Sequence, residues 1–290
     1  MSLLYVRLFF LVSDHLGFRP FRALTDVKKR YLSLSWTLAP WQDADILAAL
    51  LDFIGSYHLT GIELGLNNIK QAYKFIAFCE IFVSKAPAED SLMIRVDKAV
   101  DMTEDLLGKL SRLSTFLILE TQAARMGALH TLRFPNPYQP YNGSHRRDVY
   151  LRYRLWNVHA WKTRLRADNV CFSISLTVIK GLKGARPGLL GYSYTNLKEA
   201  CRLHKMQTGV EWMALSRYKQ NRTVFYGYDN KKTITKKLWR VSHEFPNYCV
   251  SVYDVENDDF EGFCPNKSTP LLRIIRKLVT PITHSRFMLI

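Results

Sequence analysis

No apolar run in this chain approaches the roughly 20 residues that cross a bilayer. The closest, Met1 to Val12, is short and broken by Arg7. No membrane span is expected. Paired C-x-x-C spacing is missing, which removes the common zinc and redox signatures, and neither a metal nor a cofactor is expected. Acids are scarce, with 25 Asp and Glu against 41 Lys and Arg and a net charge of +16. Such a surface attracts polyanions over long range. No recognition motif accompanies the charge, so nucleic-acid binding is not expected. There is no internal repeat and no low-complexity tail.

What is present is a core and a rhythm. At 290 residues and 48% hydrophobic content the chain can bury one α/β barrel or two ordinary domains. Strand-like and helix-like segments alternate. Tyr31 to Trp36, Gly61 to Leu66, Leu92 to Val96 and Thr115 to Glu120 read as strands, and Asp43 to Tyr57, Ile69 to Lys85 and Thr103 to Ser111 read as helices. This alternation implies parallel strands covered by helices, the (β/α) barrel class. A proline-rich loop, Arg133 to Ser144, leads to a helix around Val149 to Arg164 and a long buried strand, Val170 to Val178.

Residues 180 to 246 break the rhythm, with a Gly/Pro link at Gly181 to Gly188, a helix near Thr195 to His204 and aromatic strands at Val210 to Tyr218 and Thr223 to Tyr228. Basic residues crowd at Arg146, Arg147, Arg152, Arg154, Lys162, Arg164 and Arg166, and again at Lys231, Lys232, Lys236, Lys237 and Arg240. Interleaved apolar residues make both runs read first as solvated faces of outer helices. An acidic glycan is the second reading.

The segment from Val250 to Cys264 reads as a buried strand entering an acidic turn. It resembles the last barrel strand of glycoside hydrolase family 18, the chitinases and chitinase-like proteins, whose pattern is close to V-W-A-L-D-L-D-D-F-x-G-x-C. Val252, Val255, Asp258, Asp259, Phe260, Gly262 and Cys264 match in order, and Tyr253 stands where the family has tryptophan. Gly188 to Tyr194 followed by Cys201 is similar to the family's G-[FL]-L-[AG]-Y-x-E-[IV]-C, and Gly227 to Asn230 to its G-[YF]-D-[DN].

The resemblance implies a TIM-barrel (β/α)8 fold with a small α+β insertion. On it the first part of the barrel would take residues 1–179, equivalent to about the family's third to seventh strands, the insertion 180–246, and the last strand and helix 247–290. Because Phe21 to Ser35 resembles a helix and strand that normally lie well inside the domain, one or two amino-terminal strands are expected to be missing. Met1 to Val12 is then open between a strand filling the gap, a degraded signal-peptide core and an incomplete gene model. The resemblance also implies a Cys201–Cys264 disulfide, while Cys79, Cys171 and Cys249 read as buried small hydrophobes. Three sequons, at Asn142, Asn221 and Asn266, agree with a secreted, extracellular glycoprotein.

Family 18 chitinases place D-G-x-D-x-D-x-E on their fourth strand, with alternate acids facing the barrel interior. The glutamate is the general acid, and the preceding aspartate steadies the substrate's own acetamido nucleophile. Here the run is Thr60 to Asn67: Glu63 keeps one acid, Gly65 replaces the assisting aspartate and Asn67 replaces the general acid. An amide has no proton to give at neutral pH. Thr121 and Gln122 stand where the family has a sugar-contacting tyrosine and aspartate, Trp36 falls in its S-x-G-G segment, and Thr177 lies near a further tyrosine position.

The implied function is an inactive chitinase-like protein, with a lectin-like site for chitin or another N-acetylglucosamine-containing glycan at Tyr253, Trp36, Trp212, Glu63, Asn67, Thr121 and Gln122. Each has a plainer reading. Glu63 can be an acid in shifted register or a carboxylate bonded to a neighbour, and Tyr253, Trp212 and Phe225 can be core. His58, His159 and His243 show no ligand or triad spacing. The alternatives are an active glycosidase of altered mechanism using Glu63 or Glu120, and a basic scaffold binding acidic glycans or a protein partner.

Overall fold

The computed structural model describes residues 31–36, 44–56, 59–86, 92–97, 102–122, 133–141, 150–183, 189–203, 205–245, 249–264, 270–279 and 287–289. Met1 to Val12, Asn142, Asn266 and His58 lie outside them. The chain divides into two compact units, one of the described residues up to 120 with 160–171, the other of 121–159 with 172–289.

In the first unit, strands β1 (Tyr31–Trp36), β2 (Gly61–Leu66), β3 (Leu92–Val96) and β4 (Phe116–Leu119) pair in parallel in that order. Helices α1 (Ala44–Ser56), α2 (Ala72–Lys85) and α3 (Glu104–Leu113) connect them. Every residue of β2 and β3 is buried, which is why these strands are apolar on both faces, apart from Glu63 and Arg95, instead of alternating with polar residues. Helix α2 turns Phe75, Phe78, Cys79 and Phe82 inward. Thr103 starts α3 by accepting from the Leu106 N–H at 3.3 Å, leaving Glu104 and Asp105 in the first turn where the helix dipole favours them. Asn169, leading into β5 (Val170–Ser175), bonds Ser111 and Ser114 at the end of α3, and its carbonyl accepts from Leu117 N–H at 2.9 Å.

In the second unit β5 is followed in sheet order by β11 (Cys249–Tyr253) and β12 (Phe287–Leu289). A separate antiparallel sheet has the order β7-β6-β10-β9-β8, from β6 (Val178–Lys183), β7 (Leu189–Thr195), β8 (Gln207–Glu211), β9 (Ser216–Gln220) and β10 (Val224–Tyr228). The remaining helices among the described residues are α4 (Leu151–Leu165), α5 (Leu197–Arg202), α6 (Lys231–Glu244) and α7 (Leu271–Val279). The parallel sheet with its covering helices is TIM-barrel-like, and the antiparallel sheet matches the expected α+β insertion. Phe134, Tyr141, Tyr150, Ile179, Ala214 and Phe225 form an aromatic core there, settling Phe225 as core.

Three expectations are corrected. The long strand Val170 to Val178 is two strands, because Ser175 and Thr177 bend the chain through a 3.1 Å bond from Thr177 N–H to Ser175 Oγ. The expected strand Val210 to Tyr218 is a hairpin, turned by Leu215 in the left-handed region at φ 51°. Cys171 and Cys249 are disulfide-bonded and are not mere buried hydrophobes. Cys79 is the free cysteine, and burial pushes its thiol far above the ordinary value.

Candidate functional site

On the first unit the candidate chemistry sits on β2 and β3. Because β2 pairs with β3 in register Glu63↔Met93 and Gly65↔Arg95, an arginine in the otherwise apolar Leu92–Val96 strand comes beside the Glu63–Gly65 pair. Arg95 Nε donates to Glu63 Oε1 at 2.8 Å and Nη1 to Glu120 Oε1 at 2.7 Å. All three side chains are buried. A Cβ added at Gly65 would lie 2.1 Å from Arg95 Nη2. The guanidinium therefore fills the space that a side chain at position 65 would need. Both carboxylates serve as acceptors for one cation, which satisfies the rule that buried charge is paired. Asn67, just past the end of β2, is exposed. Trp36 ends β1, and its side chain lies outside the described residues.

The second unit holds the other candidates. Thr121 N–H donates to Ser173 Oγ at 2.8 Å, Ser173 N–H donates to Thr121 Oγ1 at 3.0 Å, and Ser173 Oγ bonds Gln122. Both Thr121 and Gln122 are only 1% exposed, so their polar groups face protein partners. Tyr253, the last residue of β11, is likewise 1% exposed, and its carbonyl accepts from Leu176 N–H at 3.0 Å. Its ring has no open face for a sugar, which corrects the stacking expectation and leaves the core reading. Trp212, by contrast, is 53% exposed at the β8–β9 turn. Asn221 is exposed at the β9–β10 turn, where its Oδ1 accepts from the N–H groups of Thr223 and Val224. His159 packs on Phe245, and His243 stacks on Trp239.

The acidic residues that carry the sequence resemblance have backbone work. Asp258 accepts from the N–H groups of Leu271 and Leu272 at 3.0 and 2.9 Å, capping α7. Burial raises its carboxyl above the ordinary value, while these N–H bonds pull the other way. Asp259 accepts from Phe263 and Cys264 N–H, both at 2.8 Å, around Gly262 at φ +69°. Cys264 is disulfide-bonded to Cys201 as expected, with Cα atoms 5.1 Å apart. Asp229 is held by Lys237 at 2.7 and 2.8 Å and receives bonds from Asn136, Ser216 and Thr233. Burial lowers the Lys237 ammonium, and Asp229 opposes that shift. Gly227 is required because a Cβ there would lie 1.7 Å from the Arg133 carbonyl oxygen.

Comparison of the whole backbone with solved structures gives a consistent answer. The Ostrinia furnacalis Group IV chitinase superposes with a TM-score of 0.70, covering 90% of this chain and 82% of that one at 14% identity. Human YKL-39, described as a pseudo-chitinase with retained chitooligosaccharide binding, gives 0.69, 89% and 82% at 15% identity. The immunomodulatory active chitinase TsES1 from Trichuris suis gives 0.67, 88% and 81% at 14% identity. The chain has the fold of the family 18 chitinases. No protein-family model matches the sequence, and no curated protein matches it either.

Within this family 18 fold, active and inactive proteins share one backbone, so side chains must decide between them. Arg95 was missed from sequence. Its signal was present: a single cation inside a strand whose other residues are Leu, Met, Ile and Val, where burial demands a charged partner. Among the described residues no cluster of three or more His, Cys, Asp or Glu could hold a metal ion, and no helix is long and apolar enough to cross a membrane.

Proposed function

We propose that the chain is an extracellular chitinase-like protein that does not hydrolyse chitin and is retained for binding. The observation that carries this reading is Arg95, whose guanidinium takes the space above Gly65 and draws both Glu63 and Glu120 into hydrogen bonds of 2.8 and 2.7 Å. An acid catalyst must hold a proton toward the glycosidic oxygen. These carboxylate oxygens instead accept from the arginine, which also weighs against an altered mechanism built on Glu63 or Glu120. Asn67, at the position the family pattern gives to the acid, is exposed and cannot donate an acid proton. Loss of a general acid alone removes a factor of roughly 10² to 10⁴. The disulfides agree with an oxidising compartment.

The binding half of the proposal follows the retained chitooligosaccharide binding of human YKL-39. With Tyr253, Thr121 and Gln122 buried, Asn67 is the exposed candidate to meet a neutral N-acetylglucosamine oligomer on the first unit. Hydrolysis of a fluorogenic chitooligosaccharide across pH tests the first half, with turnover expected at background. Turnover well above background that disappears in Glu63→Gln would overturn it. Calorimetry with chitohexaose tests the second half: weak binding reduced by Asn67→Ala supports it, and no binding by the parent refutes it.

A further inference from the structure

The turn between β8 and β9 places Trp212 on the outside of the antiparallel sheet, 53% exposed. Helix α6 brings two cations to it, the ammonium nitrogens of Lys232 and Lys236 lying 5.8 and 4.6 Å from the centre of its ring. Strand β9 adds a third. Arg217 lines the same small notch as Trp212, Asn230, Lys232 and Lys236. Its Nε is buried and has no hydrogen-bond partner among the described residues. Among the described residues none lining the notch carries a carboxylate, and the neighbouring Asp229 is committed to Lys237.

This is an unfavourable arrangement on its own. A buried guanidinium N–H without an acceptor loses its bond to water and gains nothing in return. Like charges one helical turn apart, as Lys232 and Lys236 are, repel each other. An anion at the mouth of the notch offsets the lysine repulsion and brings acceptor oxygens to the guanidinium, and a tetrahedral oxyanion has several such oxygens to share among three donors. The indole beside it offers an apolar face on which a sugar ring can lie, with the flanking cations held near the anion by their contact with that ring.

We propose that this notch binds a sulfate group of an anionic glycan, with Arg217, Lys232 and Lys236 holding the sulfate and Trp212 stacking on the adjoining sugar. The site is independent of the β2–β3 residues and of whether the chain hydrolyses or binds chitin.

The test is calorimetric binding of a heparin-derived octasaccharide to the full chain at about 0.15 M salt. Lys232→Gln/Lys236→Gln is expected to weaken binding about tenfold or more, and Trp212→Ala about fivefold. All three positions are exposed, so the fold should survive. The control is Lys70→Gln/Lys74→Gln, which removes the same charge from exposed positions on the first unit and is expected to leave affinity within about twofold. Equal weakening by the two double variants would mean diffuse attraction to net charge and overturn the site. Chemically desulfated octasaccharide should not bind, and its binding as tightly as the sulfated form would overturn the sulfate assignment. Inorganic sulfate should compete only weakly. Competition equal to the oligosaccharide's would show a free-anion site and overturn the glycan assignment.

Discussion

The turn after β11 and the strand β2 both carry pieces of the family 18 pattern, and they carry different kinds of residue. In the turn, Asp258 caps a helix, Asp259 closes a loop onto Phe263 and Cys264, Gly262 takes a left-handed φ, and Cys264 closes a disulfide. These four matching residues shape backbone. Along β2 and just past its end, Gly65 and Asn67 stand where the family 18 pattern has acids, and Glu63 is bonded to Arg95 from the next strand. Backbone constraints hold wherever the same fold is used, while catalytic constraints hold only while the chemistry is used.

The largest effect expected on this comparison comes from Arg95→Met. It leaves two carboxylates buried without their shared cation and should cost about 3 to 5 kcal/mol in denaturant unfolding. Adding Glu63→Gln and Glu120→Gln should recover most of the loss. A loss below about 1 kcal/mol would mean the cluster is not closed. Replacing Cys201 and Cys264 by Ser removes a link across 63 residues, expected to cost about 4 kcal/mol in the chain-entropy model. Peptide mapping without reductant should find the bond in secreted protein, and finding both thiols free would break the equivalence of the turn with its family counterpart.

Two glycines sharpen the contrast further. Gly227→Ala drives a Cβ against backbone oxygen and should cost about 3 kcal/mol or more, whereas Gly65→Ala meets the end of a side chain and should cost about 1 to 2 kcal/mol as Arg95 shifts. The reverse order in thermal denaturation would mean that Arg95 is the more rigid obstacle. The smallest effect is the pH dependence at Asp258. Its folded carboxyl is raised, chiefly by burial, so folding takes up a proton between the unfolded and folded values. That contribution is fully present below the ordinary aspartate value near about 4 and is lost as pH rises through the folded one. The parent should therefore gain stability relative to Asp258→Asn as pH falls from about 7 toward about 4. A pH-independent difference would remove the burial argument.

Much of the architecture could be read from local pattern. Buried parallel strands are written as short apolar runs, so β1, β2 and β3 appear where expected, and α2 and α3 within a few residues. The hairpins were harder. An aromatic, basic stretch from Val210 to Tyr218 reads as one strand until Leu215 reverses it, and that reversal is what puts Trp212 outside. The Cys201–Cys264 bond followed from the family pattern, while the oxidation of Cys171 and Cys249 did not, because strand cysteines without a motif look like any small apolar residue.

Residue order along the chain settled the things that depend on near neighbours: the βα alternation, the excess of positive charge, the turn residues around Gly262. Partners distant in sequence were decided only by folding. Arg95 meets Glu63 across 32 positions and Glu120 across 25, Lys237 finds Asp229 by the winding of α6, and Arg217 joins Lys232 and Lys236 because a hairpin and a helix return to one notch. The reason is geometric. A strand or helix repeat determines which residues share a face, but which charge faces which across strands depends on register, and register is set by how the whole sheet packs.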